Sequence, residues 1–177
     1  MLENRNYLQK YAMHFGTYMG IYWVLKFILF PLGLSIPFLL FLFVGLTLGV
    51  PFMGYYYTKM YRDKICGGEI RFLHAWIFTV FMYMFAALLT AVAHFVYFRF
   101  IDQGFVVNTY TAIIDGFLHS DIAGIETYSS QLKDTMNAIS SLSPIEISLQ
   151  LLSQNVFYGS ILALPTALIV MKKKKAA

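Results

Sequence analysis

From Phe72 to Phe98 the chain reads FLHAWIFTVFMYMFAALLTAVAHFVYF, with no Asp, Glu, Lys or Arg. As a helix rising about 1.5 Å per residue this stretch reaches roughly 40 Å, more than the roughly 30 Å of bilayer hydrocarbon. Three other long apolar runs are placed around it, so the pattern predicts four spans at about 11–30, 36–57, 72–98 and 144–171. Lys26 is the one full charge of the first span and falls near its far end, where an ammonium can reach the headgroups while its stem stays in lipid. Pro31, Gly33 and Pro37 predict a tight turn, making spans one and two an antiparallel hairpin. Span two carries Gly45, Gly49, Pro51 and Gly54, and Pro51 removes a helical hydrogen bond and predicts a kink. Tyr55, Tyr56 and Tyr57 fit an interfacial aromatic belt. The segment TKMYRDKICGGEIR, Thr58 to Arg71, reads as a loop with a turn at Gly67-Gly68.

The longest stretch outside the spans is 102–142. In its second half Ile122, Ile125, Leu132, Met136, Ile139 and Leu142 recur at helical spacing and predict one amphipathic helix of about five turns. Residues 105–118 are apolar enough to extend span three or to lie on the membrane. Ser143-Pro144-Ile145-Glu146 marks a helix start: Ser143 caps, Pro144 suits the first turn and Glu146 reaches back. Pro165 predicts a second kink. The expected fold is all-α: one membrane domain, a polytopic bundle of four transmembrane helices, with a helical extracytoplasmic insert between helices three and four.

Composition strengthens this reading. Of 177 residues 59% are hydrophobic and 12% charged, against about 45–50% and about 25% in soluble domains. Arg5, Lys10, Lys59, Arg62, Lys64, Arg71 and Lys172 to Lys175 fall on one side of the predicted spans. Lys133 falls on the other, with Lys26 and Arg99 at its boundary. This asymmetry predicts that both termini are cytoplasmic and that the insert is outside. The four terminal lysines fit a stop-transfer anchor, and the polar first ten residues followed by a long apolar run fit a retained signal anchor. The cations sit in short juxtamembrane runs, which excludes a nucleic-acid surface. The single cysteine, Cys66, cannot form an intrachain disulfide.

Candidate chemistry is sparse. Gly16-x-x-x-Gly20 and Gly45-x-x-x-Gly49 let helix backbones approach closely, within the bundle or across a homodimer. Three polar stripes follow helical spacing: His14, Tyr18, Tyr22 and Lys26; Tyr83, Thr90, His94 and Tyr97; Glu146, Gln150, Ser153 and Ser160. Unpaired polar groups are costly in hydrocarbon, so these face protein or water, as a closed seam or as a cavity open to the outside. Lys26, Arg99, Asp102, Glu146 and Gln150 are expected at similar depth, where they form ion pairs or where Lys26 and Arg99 hold a lipid phosphate or another anion. The histidines have no zinc-helix spacing, so no metal and no cofactor is expected. His119-Ser120-Asp121 are adjacent, and adjacent residues do not make a triad. A membrane enzyme has only Asp115, Asp121 and Glu126 in its favour, and these fit a solvated face.

The pattern YYYTKMYRDKICGGEIRFLHAW, following a span with glycines and a proline, resembles a family of small bacterial membrane proteins catalogued as domain of unknown function 4199. The resemblance covers about Tyr11 to Met171, with Arg62, Gly67, Gly68 and Phe72 as the matching loop positions. It implies a four-helix protein of the bacterial inner membrane with a long loop between spans three and four, and it implies no reaction. Two functions remain in view. One is a non-enzymatic accessory or scaffold subunit beside a membrane-protein partner or a second copy. The other is a transporter or lipid-handling protein that binds an anionic lipid or small anion at the outer boundary.

Overall fold

The computed structural model describes residues 2–118 and 125–172. Within them the chain forms α1 (Leu2–Ser35), α2 (Pro37–Lys64), α3 (Phe72–Val96), α4 (Phe105–Leu118), α5 (Ile125–Ser140) and α6 (Pro144–Val170). A π-helical turn, Tyr97–Ile101, continues α3. The described residues contain no strand, only an isolated antiparallel bridge between Ile70 and Lys172. Four helices are long and apolar enough to cross a bilayer: Tyr7–Ser35, Pro37–Lys64, Phe72–Ile101 and Pro144–Val170. The chain is an all-α, multi-pass membrane protein. It divides into two compact units, Met1–Ala91 with Leu151–Ala177, and Val92–Gln150.

The first unit is assembled on α3. Ala75, Phe78, Met82, Tyr83 and Ala86 are fully buried. Small residues on the neighbouring helices make this possible, because helix association in lipid depends on close backbone packing and not on expelling water. A Cβ added at Gly16 of α1 would stand 2.7 Å from both the Met82 carbonyl oxygen and Phe85 Cβ. One added at Gly20 would stand 2.9 Å from Leu89 Cδ2. The Gly16/Gly20 pair is therefore used within the chain. Gly54 of α2 abuts the Tyr83 hydroxyl, and Gly159 of α6 leaves room for Tyr83 Cβ, 2.8 Å from where its own Cβ would be. The buried threonines inside this packing are satisfied locally. Thr79 Oγ1 donates to Ala75 O at 2.8 Å, Thr58 Oγ1 donates to Gly54 O at 2.8 Å, and the two hydroxyls lie 2.9 Å apart across α2 and α3. Each of these two threonine hydroxyls thus has a partner in an environment without water.

The turn between spans one and two lies later than the sequence suggests. Pro31 and Gly33 are helical, and α1 runs on to Ser35. The reversal occurs at Ile36, and Pro37 occupies the first position of α2, where its missing N–H is no loss. Gly33 permits the sharp return: a Cβ there would stand 2.7 Å from Leu40 Cγ. The end of α2 also differs. Thr58 to Lys64 belong to the helix, so the connection is only Ile65 to Arg71. A helix need not end where the hydrocarbon does. Gly67 and Gly68 adopt φ of 69° and 86°, left-handed values that glycine takes without a Cβ penalty.

In the second unit α4 is a separate helix and does not extend span three. Gln103 and Gly104 at φ of 45° and 84° break the chain direction. Asp102 is buried and holds this corner: its carboxylate accepts from the N–H of Gly104 and of Val106, both at 3.1 Å. The carboxylate expected among boundary ion pairs is thus a helix-start acceptor. α4 packs against α5, with Ile114 buried and Met136 and Ile139 half-buried. The expected start of α6 is found at Pro144. The Glu146 carboxylate accepts from the Ser143 N–H at 2.7 Å and from Ser143 Oγ at 2.6 Å, so both polar groups of the serine bind one side chain. His119, Ser120, Asp121, Ile122 and Lys173 to Lys175 lie outside the described residues.

Candidate functional site

The polar stripes have different fates. On α1 the steps of four put His14 and Tyr18 on the exposed side, ring centroids 5.0 Å apart and edge to face. The buried side of α1 is instead Ala12, Phe15, Met19 and Trp23, the face that carries Gly16 and Gly20. Tyr22 is half-buried and donates to Leu46 O of α2 at 2.6 Å, and Gly49 closes on the same hydroxyl. On α3, Tyr83 is fully buried and Thr90 is buried with its hydroxyl donating to Ala86 O at 2.9 Å. Ser153 is exposed. Within the first unit, then, His14, Tyr18 and Ser153 do not join Tyr83 and Thr90. In the second unit His94 is buried, while Glu146 and Gln150 are exposed.

Two clusters in the first unit have partners that spacing does not anticipate, although Tyr83 and Lys26 are stripe residues. Trp23 and Tyr83 stack at 5.9 Å with planes 19° apart, and both Trp23 Nε1 and the Tyr83 hydroxyl are buried without a hydrogen-bond partner among the described residues. Lys26 sits next to this pair. Because α1 continues to Ser35, Lys26 stands about 14 Å short of the helix end and not near it. Its ammonium lies 5.9 Å from the Trp23 ring centroid and 5.3 Å from that of Phe43. Two ring faces attract the charge that no carboxylate of the described residues pairs. Arg99 lies at the end of span three in the other unit.

The second group is at the connection between α2 and α3. Tyr61 stacks on Phe78 at 3.9 Å and 3°, and its hydroxyl is 3.1 Å from His74 Nε2. Phe15 stacks on Tyr57 at 5.3 Å, and Tyr11 reaches Tyr61 at 6.1 Å. Cys66 is half-buried beside them. Burial pushes its thiol up, partly offset by a hydrogen bond with Tyr61. Arg62 binds Asp63 at 2.7 and 3.1 Å and donates from Nη1 to Val170 O at 2.9 Å, satisfying a carbonyl at the end of α6 that has no helical partner. Ile70 and Lys172 exchange backbone hydrogen bonds of 3.1 and 3.0 Å. The loop positions Arg62, Gly67, Gly68 and Phe72 thus act as an α6 clasp, two left-handed turn residues and the first residue of α3. Nothing local in the sequence points to the Arg62–Val170 or Ile70–Lys172 pairing, since the partners are about a hundred residues apart.

Among the described residues no three His, Cys, Asp or Glu side chains gather as metal ligands. No curated protein and no solved structure matches the chain. A family model described as "Protein of unknown function (DUF4199)" matches residues 14–172. That match includes all four apolar helices almost in full, the clasped connection and the insert, and the chain belongs to this family.

Proposed function

We propose that the chain is a non-enzymatic accessory subunit of the bacterial inner membrane, with both termini cytoplasmic and α4 and α5 on the outer side. The distribution of Lys and Arg supports the orientation. The observation that carries the subunit reading is the outer face of α2. Of the apolar segment of α2 only 11% is buried within the protein, against 44% for α3. Phe41, Gly45, Leu48 and Phe52 follow one another at steps of four and three, and the three large side chains are exposed. Gly45 has no neighbour within 4 Å of where a Cβ would be. A glycine in a lipid-facing helix loses about 1 kcal/mol to alanine and packs nothing. A notch between bulky apolar side chains suits the close approach of a second helix. Extraction in a gentle detergent should recover a stoichiometric membrane-protein partner, and Gly45→Leu should lose it while leaving the chain folded. Repeated recovery of the native chain alone as a monomer contradicts the reading, and recovery as a dimer assigns the face to a second copy.

A second reading rests on Lys26. Its charge is held against Trp23 and Phe43 with no carboxylate among the described residues, which suits a lipid phosphate or small anion. Lys26→Gln should then abolish binding of an anionic lipid beside α1. Unchanged binding removes this reading.

A further inference from the structure

The connection between α2 and α3 and the end of α6 make a surface that neither segment makes alone. Ile70 donates to Lys172 O at 3.1 Å, Lys172 donates to Ile70 O at 3.0 Å, and Arg62 donates to Val170 O at 2.9 Å. These three bonds fix the chain leaving α6 against the chain entering α3. Lys59, Lys64, Arg71 and Lys172 are all exposed there. The hydrogen bond from Arg62, with smaller contributions from the charges of Lys59 and Lys172, holds the Asp63 carboxyl below the usual carboxylate range. That carboxylate is already held by the Arg62 guanidinium at 2.7 Å. Glu69 is the other acid of the segment, which leaves five cations against two carboxylates, and Lys173, Lys174 and Lys175 follow directly in sequence.

The excess charge lies where apolar helices end. A free anion meets such a patch by Coulomb attraction alone, which salt screens over about 8 Å at physiological ionic strength. An anionic phospholipid meets it with its acyl chains already beside α2 and α6, so only the headgroup has to be captured. We propose that this face binds anionic phospholipid headgroups, with Lys59, Lys64, Arg71 and Lys172 contacting phosphate and the Ile70–Lys172 bridge holding Lys172 in the patch. The site is distinct from Lys26 and Arg99 and does not depend on the docking role of α2.

Native mass spectrometry of the full-length chain in detergent tests this, with phosphatidylglycerol and phosphatidylcholine as probes. The native chain should retain phosphatidylglycerol at least about tenfold better, since each cation near an anionic headgroup contributes about fivefold. The triple variant K59Q/K64Q/K172Q should lose most of that preference with unchanged circular dichroism and elution volume. If the triple variant does not purify, K64Q and K172Q singly should each lower the preference. A Gly-Ser-Gly insertion between Met171 and Lys172 keeps every charge and breaks the bridge, and it should also lower the preference. Equal retention of the two lipids by the native chain overturns the proposal. So does a charge variant with undiminished preference, or displacement of the lipid by an equimolar acidic peptide, which would assign the patch to a protein partner. An insertion variant that keeps full preference overturns the role of the bridge.

Discussion

α2 and α3 are both long, apolar and free of charge over most of their length, yet one faces outward and the other is the hub. α3 is met by Gly16 and Gly20 from α1, Gly54 from α2 and Gly159 from α6. α2 offers lipid a row of exposed aromatics, with Phe38, Phe41 and Phe52 each more than 70% exposed. Apolarity places a helix in the membrane, but it does not choose which face turns inward, because lipid is as apolar as the core. Close approach and buried hydroxyls decide that. Tyr83, Thr58 and Thr79 lie where small residues let the backbones come together.

The comparison breaks most visibly at Gly16. Gly16→Leu places a branched side chain against the Met82 carbonyl and Phe85, a backbone and a core contact that cannot move aside. We expect about 3 kcal/mol or more of destabilisation, read as loss of a monodisperse species in size-exclusion chromatography. Thr79→Val removes the hydroxyl that bridges to Thr58 and should lower stability by about 0.6 to 1.7 kcal/mol in a denaturation series. Gly45→Ala should do the opposite. Nothing is within reach of the new methyl group, so the gain in helix propensity, up to about 1 kcal/mol, should appear as equal or higher stability. A side chain added at a glycine thus reports which face is packed, costly at Gly16 and not at Gly45.

Cys66 gives a milder probe of the packed connection. Because burial keeps its thiol above the usual range, thiolate is scarce at neutral pH. Maleimide labelling of the folded protein should be slower than that of the denatured chain at pH 7 and should accelerate as the pH rises. Equal rates at pH 7 would mean that Tyr61 and its neighbours do not cover the thiol.

The sequence made some of this legible and some not. The charge-free stretch from Phe72 and the Ser143-Pro144-x-Glu146 signature locate α3 and α6 correctly, because both depend on local chemistry. Pro31 and Gly33 mislead, since a proline that ends a helix in water is tolerated in a membrane helix, and here the turn waits for Pro37. The lysines and arginine of Thr58–Lys64 suggest a loop, although charges mark the end of the hydrocarbon and not of the helix. Steps of four from His14 to Lys26 define a stripe without saying which way it faces. Gly16 and Gly20 on the other side of α1 settle that by close approach. The clasp of Arg62 on Val170 and the Ile70–Lys172 bridge join distant segments and leave no local trace.

The hub role of α3 is tested most directly by a spin-label scan of the purified chain in lipid, with Cys66 replaced by serine and single cysteines placed along α2 and α3. Labels at positions 41, 48 and 52 should be mobile and accessible to membrane-dissolved oxygen, while labels at 75, 78, 82 and 86 should be immobile and protected. Equal protection along the two helices, or greater access along α3, would contradict the account.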